Sequence, residues 1–133
     1  MDINHLEKWH FEITEGAANY LLSLVLEGKK RATASSLWGY EIEGDPIPRA
    51  GALSVITWWD GTPGCVIRTT NVRILPYNEI TFDIARLEGE DDDLAAWQES
   101  HRAFFEAEGK KLGYTFAEHM PVIFEEFEVV EIL

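Results

Sequence analysis

Lys30 and Thr33 are the residues of this sequence whose types and spacing suggest chemistry. Both belong to the segment Gly28-Lys29-Lys30-Arg31-Ala32-Thr33, and a spacing of three on a turn of helical curvature directs two side chains to one side. A threonine hydroxyl becomes nucleophilic when a base removes its proton, and a lysine is such a base only if burial or a neighbouring cation lowers its pKa. Lys29 and Arg31 could supply that cation, whereas a nearby carboxylate would raise the pKa and favour an orienting role.

The charged and aromatic residues that could join this pair also have ordinary structural interpretations. Basic side chains after a helix end interact favourably with the helix dipole while they stay in solvent. Glu88 begins the acidic run Glu88-Gly89-Glu90-Asp91-Asp92-Asp93, and such runs are usually solvated. His101 shares a helical face with Trp97 and Phe105. It is therefore either a half-buried histidine with a satisfied hydrogen bond or a contact for a stacked base.

Other aromatic, histidine and cysteine residues narrow the chemistry further. Trp38 and Tyr40 could stack on a nucleobase, although aromatic side chains more often fill a small core. The single cysteine, Cys65, allows neither an internal disulfide nor a thiolate zinc cluster. The remaining histidines have no partner at metal-ligand spacing: His5, His10 and His119. We therefore expect no metal and no cofactor.

The elements that must position these residues can be predicted from periodicity and turn signals. The first half predicts a helix over residues 15–27, with Thr14 as its N-cap. Residues 34–51 are rich in turn-forming residues and predict a long loop, which is a candidate wall or lid for a site. Two antiparallel strands over residues 52–59 and 65–75 follow, joined by a short turn.

The second half predicts two helices and a strand. A short helix is expected over residues 78–86, and a longer one over residues 94–108, where apolar residues recur at steps of three and four. Residues 121–132 predict a final strand. Together the elements predict one α+β domain over residues 1–133, with a small and strongly curved sheet.

Charge and hydropathy restrict the partners. The chain has 24 acidic and 11 basic residues and a net charge of -13. Such a surface repels a polyanion and disfavours binding to long nucleic acid, whereas a small neutral ligand meets no such barrier. No apolar run approaches the roughly 20 residues of a membrane span, and no basic-then-apolar leader opens the sequence. We therefore expect a cytoplasmic protein without membrane association.

Several segments, in order, resemble the ASCH domain family, which is similar in fold to the PUA domains that bind RNA. The segment around Lys30 matches the family signature Gly-x-Lys-x-x-Thr/Ser. Further landmarks follow in family order: Ala32-Thr33-Ala34-Ser35-Ser36-Leu37-Trp38, Pro48-Arg49-Ala50-Gly51, Pro76-Tyr77-Asn78-Glu79-Ile80-Thr81, Ala85-Arg86-Leu87-Glu88-Gly89-Glu90, and Trp97 with His101 and Phe104-Phe105. The resemblance implies a PUA-like small β-barrel, helices packed around it, and a cleft beside the signature loop.

The resemblance also implies an activity. Some bacterial ASCH proteins are amidohydrolases that remove the acetyl group of N4-acetylcytidine with a lysine, a threonine and a glutamate, which fall here on Lys30, Thr33 and Glu88. Lys30 would deprotonate Thr33, which attacks the acetyl carbonyl, while Glu88 orients Lys30 or protonates the leaving nitrogen. Backbone N–H groups near Gly28 could hold the oxyanion. The expected substrate-binding residues are Gly28, Lys29, Arg31, Trp38, Trp97 and His101.

Two alternatives use the same cleft. In an RNA-binding module, Lys29, Lys30 and Arg31 would contact phosphate while loop aromatics stack on an unpaired base. In a ribonuclease, Lys30 and Thr33 would act on a phosphate ester. The expected partner is accordingly a small-molecule nucleoside or a short single-stranded RNA. Net charge favours the nucleoside enzyme, because an RNA binder needs basic residues pooled on one surface.

Overall fold

The computed structural model describes residues 1–133, with five strands in one mixed sheet. The strands are β1 (Glu7–Trp9), β2 (Ala32–Ser36), β3 (Leu53–Thr57), β4 (Pro63–Pro76) and β5 (Pro121–Ile132). Their order across the sheet is β1-β3-β4-β5-β2. β1 runs parallel to β3, and the other neighbours are antiparallel. The sheet forms a half-barrel whose two edge strands are β1 and β2.

Four helices accompany the sheet, in the predicted α+β arrangement. They are α1 (Glu15–Leu26), α2 (Leu37–Glu43), α3 (Phe82–Ala85) and α4 (Leu94–Leu112), with short 3-10 turns at Tyr77–Glu79 and Arg86–Glu88. The predicted N-cap of α1 is present, because the Thr14 side chain accepts a hydrogen bond from the Ala17 N–H. Helix α4 is one turn longer than predicted. None of the helices combines the length and apolar character needed to cross a membrane.

The predicted loop over residues 34–51 is wrong in its first half. Residues 34–36 complete β2, which pairs with β5 along its whole length, and residues 37–43 form α2. The Ser36 side chain caps α2 by accepting the Gly39 N–H. β2 lacks an apolar alternation because it is an edge strand held by backbone pairing. Only residues 44–52 remain as a loop.

Two apolar clusters hold the elements together. One lies between α1 and the central strands and includes Leu22, Val25 and Ile67, all at most 1% exposed. The other lies under α4 and includes Trp97, Phe105 and Met120. The segment that carries Lys30 and Thr33 crosses from α1 to the sheet edge between these clusters, which explains how a lysine there becomes buried.

Backbone hydrogen bonds fix that segment in place. The Arg31 N–H donates to the Leu87 carbonyl at 2.9 Å, and the Phe127 N–H donates to the Arg31 carbonyl at 3.0 Å. The end of α1 is thereby tied both to β5 and to the turn that carries Glu88. Residues distant in sequence meet around the Lys30 side chain.

Candidate functional site

The Lys30 ammonium is the centre of a buried polar cluster. Lys30 is 1% exposed. Its Nζ donates to the Ala32 carbonyl at 2.8 Å, to Glu88 Oε1 at 3.2 Å and to Glu90 Oε2 at 2.5 Å. These three bonds use all the donors of a lysine ammonium. The side chain is held in one position.

Glu88 joins the cluster to β2 and α4. Its Oε1 also accepts the Ala34 N–H at 3.1 Å. Its Oε2 accepts the indole N–H of Trp97 at 2.5 Å and lies 2.8 Å from His101 Nε2. The side chain is only 2% exposed. Because both oxygens are already bonded within the protein, Glu88 is placed to position its neighbours rather than to contact a substrate.

His101 is a second cation in the cluster. Its Nδ1 lies 2.9 Å from the Trp97 carbonyl and its Nε2 faces the Glu88 carboxylate, so both ring nitrogens meet acceptors. Burial opposes the charge, but the Glu88 and Glu90 carboxylates together outweigh burial and raise the pKa of His101 to about 9. The Trp97 ring stacks on the imidazole with centroids 4.2 Å apart. The predicted helical face of Trp97 and His101 is therefore real.

The pKa of Lys30 is raised, which disfavours its predicted role as a base. Burial alone would lower it, but the Glu88 and Glu90 carboxylates have the larger combined effect. The cations expected to lower it are elsewhere: Lys29 is 66% exposed and pairs with Glu27. Of the two cases set out from the sequence, the structure shows the carboxylate case, in which the lysine stays charged.

The two glutamates have pKa values shifted in opposite directions. Burial would raise the pKa of Glu88, but Lys30 and His101 hold it well below its usual range. Burial dominates at Glu90 and raises its pKa despite the Lys30 charge. A pair of carboxyl groups separated in this way is typical of acid–base sites. Glu90, whose side chain is 17% exposed, is the carboxyl group of the pair that a ligand could reach.

Gly89 allows this arrangement. It adopts φ +69°, in the left-handed region, and a Cβ there would lie 2.1 Å from the Lys29 carbonyl oxygen. Only a residue without a side chain lets the turn approach the Lys29–Lys30 peptide so closely. The glycine thus sets the distance between the two glutamates and the ammonium.

The cluster opens into a small cavity of about 80 Å³, here called the lysine cavity. Lys30, Glu90 and His101 contribute polar groups to its wall, and Thr33 borders it. Glu90 and His101 therefore face the same space as Lys30 and Thr33, although they are far from them in sequence. Glu88, the third residue of the predicted site, also borders this cavity.

A larger groove of about 660 Å³ adjoins the lysine cavity. Residues of both edge strands and of the loop over residues 44–52 line it, and Thr33, Ala34 and Phe104 border both spaces. Thr33 therefore lies where the groove meets the lysine cavity. A ligand in the groove could place a reactive group at Thr33 beside Glu90.

Several predicted binding residues lie outside both spaces. Gly28 and Arg31 are exposed, and the Gly28 N–H donates to the Val25 carbonyl. The N–H groups of Lys29 and Lys30 both donate to the Leu24 carbonyl. These groups complete the end of α1, so they are not free to hold an oxyanion as predicted.

The predicted aromatic contacts divide in the same way. Trp38 packs against Tyr114 and His119 rather than lining the groove, whereas Tyr40 does line it. Trp97 is 1% exposed and acts through Glu88 and His101. Trp38 therefore follows its structural interpretation, and Tyr40 remains available to a ligand.

Some residues of the site were not predicted from the sequence. Glu90 belongs to the acidic run that the sequence predicts to be solvated, and nothing local distinguishes it from Asp91 or Asp92. Phe11 and Ser100 also line the lysine cavity. The one signal that could have identified Glu90 is the Glu-Gly-Glu spacing, which puts two carboxyl groups around a turn.

The cluster also contains the donor types of a metal site. Ligand atoms of Glu88, Glu90 and His101 lie within 4.8 Å of one another. The Lys30 ammonium, however, already bonds both carboxylates, and His101 Nε2 faces Glu88. A divalent ion would have to displace a buried ammonium, so the residues do not fit a metal.

Comparisons with known proteins agree with this architecture. An ASCH domain from Lactobacillus crispatus JV V101 superposes with a TM-score of 0.86 and 41% identity, covering 95% of this chain and 80% of that one. Protein EF3133 from Enterococcus faecalis V583 superposes with a TM-score of 0.90 and 34% identity, covering 99% and 80%. Hypothetical protein PH0355, at 18% identity and a TM-score of 0.56, shares the fold alone. No curated protein matches the chain.

The family model for the ASCH domain matches residues 7–131, and the α+β, PUA-like fold class is confirmed. ASCH domains are associated with binding RNA or acting on nucleic-acid-related substrates. The family match spans both edge strands, the Lys30 cluster and the final strand, and this chain therefore belongs to the ASCH domain family.

Proposed function

We propose that this protein is an amidohydrolase that removes the acyl group from the exocyclic nitrogen of an acylated pyrimidine nucleoside such as N4-acetylcytidine. The observation that carries the proposal is the position of Thr33. Thr33 borders a cavity with a buried ammonium and with a reachable carboxyl group of raised pKa, Glu90. A nucleophile, an acid–base group and a fixed positive charge are what acyl transfer needs.

The pKa directions assign the roles. Glu90 takes the proton of the Thr33 hydroxyl as the oxygen attacks the acyl carbonyl, and a threonine ester forms. As the carbon–nitrogen bond breaks, Glu90 returns that proton to the leaving nitrogen. Water then attacks the ester carbonyl while Glu90 takes one of its protons. As the ester bond breaks, Glu90 returns that proton to the Thr33 oxygen, so that the carboxylic acid leaves and the Thr33 hydroxyl is restored.

Lys30 and Glu88 support these steps without exchanging protons. The Lys30 ammonium provides a fixed charge beside the developing oxyanion and holds Glu90 at 2.5 Å. Glu88 holds Lys30 and, through Trp97 and His101, fixes the cluster to α4. In this mechanism the charge of Lys30, rather than backbone N–H donors near Gly28, stabilises the oxyanion.

The RNA-binding alternative has less support because several of the basic residues are already paired with carboxylates. Three of the arginines form ion pairs with carboxylates: Arg68 with Glu128, Arg73 with Glu126, and Arg102 with Glu106. Lys29 pairs with Glu27, and Lys30 is buried. Five of the 11 basic residues are thus neutralised by carboxylates, whereas counterion-release binding requires basic side chains that are free to contact phosphates.

The test is turnover of N4-acetylcytidine by the purified chain, followed as cytidine by chromatography. We expect Thr33→Ala and Glu90→Gln each to lower kcat by about 10² or more, the scale of losing a nucleophile or an acid–base group. Two matched controls are Thr70→Ala and Glu99→Gln, which change exposed residues of the same types. We expect both controls to keep wild-type activity.

The variants also distinguish the roles. Full activity in Thr33→Ala would refute the nucleophile, and no turnover by the wild type would refute the proposed reaction. If Lys30 rather than Glu90 were the base, Glu90→Gln would retain most of its kcat. A trapped acyl ester on Thr33, detected by mass after rapid acid quench, would support the covalent step directly.

A further inference from the structure

The walls of the groove are strongly acidic. Its lining residues include one guanidinium, Arg49, and no lysine. The same walls carry six carboxyl groups: Glu7, Glu12, Glu43, Asp45, Glu108 and Glu125. A phosphate group entering this space meets repulsion from several directions. A neutral ligand that donates hydrogen bonds meets none.

Glu125 stands out among these carboxyl groups by its position. It lies on β5 directly opposite Thr33 of β2 in the antiparallel register, so both side chains are on the same face of the sheet. Glu125 is only 8% exposed. The other carboxyl groups of the groove do not share this pairing with the proposed nucleophile.

The hydrogen bonds of Glu125 leave one oxygen for a ligand. Its Oε2 accepts the Thr69 hydroxyl at 2.6 Å, which fixes the orientation of the carboxyl group. The other oxygen, Oε1, has no hydrogen-bond partner in the protein. Every fully buried side-chain oxygen in the protein has such a partner, so Oε1 is not fully buried. Oε1 therefore opens onto the groove. A carboxyl oxygen held in this way is an acceptor without a donor, and burial makes satisfying it more valuable.

We propose that Glu125 is a specificity-determining residue whose Oε1 accepts an N–H or O–H hydrogen bond from an unphosphorylated nucleoside bound in the groove. The inference rests on the proposed function, because it takes Thr33 as the site of attack. The groove volume of about 660 Å³ lies within the range of small-molecule pockets. Glu125 thus orients the ligand toward Thr33, and the acidic walls select against its 5′-phosphate.

The test measures binding rather than turnover, so that it does not depend on the reaction. Isothermal titration calorimetry of the full chain uses cytidine and cytidine 5′-monophosphate as probes, with wild type, Glu125→Gln and Glu126→Gln. Glutamine keeps the size of Glu125 and an oxygen for Thr69, but it turns an N–H donor toward the groove. Glu126 is the next residue on β5, faces the opposite side and pairs with Arg73, which makes it the matched control.

We expect wild type to bind cytidine at least tenfold more tightly than the monophosphate. We expect Glu125→Gln to weaken cytidine binding about tenfold, the scale of one charged hydrogen bond, and Glu126→Gln to leave it unchanged. Equal cytidine affinity of Glu125→Gln and wild type would overturn the proposal. The proposal would also be overturned if the wild type bound cytidine and cytidine 5′-monophosphate equally, or did not bind cytidine at all. Both of these outcomes are measured on the wild type alone.

The outcomes separate this inference from the proposed function. The expected binding pattern without turnover of N4-acetylcytidine would support the role of Glu125 and refute the amidohydrolase reaction. If the wild type turns over N4-acetylcytidine but Glu125→Gln changes neither the cytidine affinity nor KM, the amidohydrolase reaction is supported and the role of Glu125 is refuted. A thermal melt of each variant identifies any loss of folding, and the comparison of the two probes on wild type is independent of it.

Discussion

Replacing Lys30 with methionine tests whether one buried ammonium holds the site together. The substitution keeps most of the apolar stem but removes the charge that bonds Glu88 and Glu90. Both carboxyl groups would then be left in a buried position, near each other and without their main counter-ion. Removing one partner of a buried ion pair costs about 3–5 kcal/mol of unfolding free energy. We expect Lys30→Met to lose that amount at pH 7.

The pH dependence distinguishes this cause from simple loss of packing. In wild type the depressed pKa of Glu88 contributes stability that is present above the unfolded value and is lost as pH falls. Without the ammonium, the pKa of the Glu88–Glu90 pair rises above the unfolded value, so protonation relieves the penalty as pH falls. Each proton taken up changes the unfolding free energy by about 1.4 kcal/mol per pH unit. The deficit should therefore shrink between pH 7 and pH 5.

Urea denaturation of wild type, Lys30→Met and Lys29→Met at pH 5, 6 and 7 measures these differences. Lys29 is the adjacent lysine with an exposed side chain, so Lys29→Met should lie within about 0.5 kcal/mol of wild type at each pH. A deficit of Lys30→Met that is the same at all three pH values would refute the electrostatic reasoning. Equal losses of unfolding free energy in Lys30→Met and Lys29→Met would refute the conclusion that the buried position of Lys30 makes its charge important for stability.

Two further predictions concern the neighbours of that ammonium. The pKa of His101, raised to about 9, should appear as the midpoint of an NMR titration of the imidazole protons, and a midpoint near 6.5 would contradict the ion pair with Glu88. The stability that this raised pKa contributes is fully present below the unfolded pKa of histidine. It is lost as the pH rises through about 9. Gly89→Ala should destabilise the protein by more than about 2 kcal/mol, because it adds a clash with the Lys29 carbonyl to the cost of a positive φ. Gly61→Ala, at φ +92° with open space around it, should lose only about 1–2 kcal/mol in the same denaturation assay, and equal losses would show that the clash is relieved.

Elements with a strong local signal could be predicted from the sequence. Helix α1 has an apolar stripe and a threonine cap, α4 has recurrent apolar residues and an aspartate cap, and β5 is rich in β-branched residues. β2 could not be recognised, because its polar, small residues become a strand only through pairing with β5. The short α2 depends on a cap by Ser36 that follows from the same pairing.

The site shows the same division. The Lys30–Thr33 spacing is local, and both residues border one cavity, although Thr33 lies on strand β2 and not on the turn of helical curvature that the spacing argument assumed. The pKa of Lys30 is not local: its sign is set by carboxyl groups 58 and 60 residues away. The difference between Glu88 and Glu90 is likewise a difference in burial and bonding partners. A sequence lists the charges but does not give the distances between them.

The Lys30 ammonium joins the end of α1, β2, the turn at Glu88 and, through Glu88, helix α4. The Lys30 side chain consequently holds these elements together and also takes part in the proposed reaction. Damage there would reach the cell first as a shortage of folded protein, and only secondarily as a slow enzyme. Thr33 borders the lysine cavity but does not bond to Lys30. A substitution at Thr33 is therefore expected to abolish catalysis while the protein stays folded.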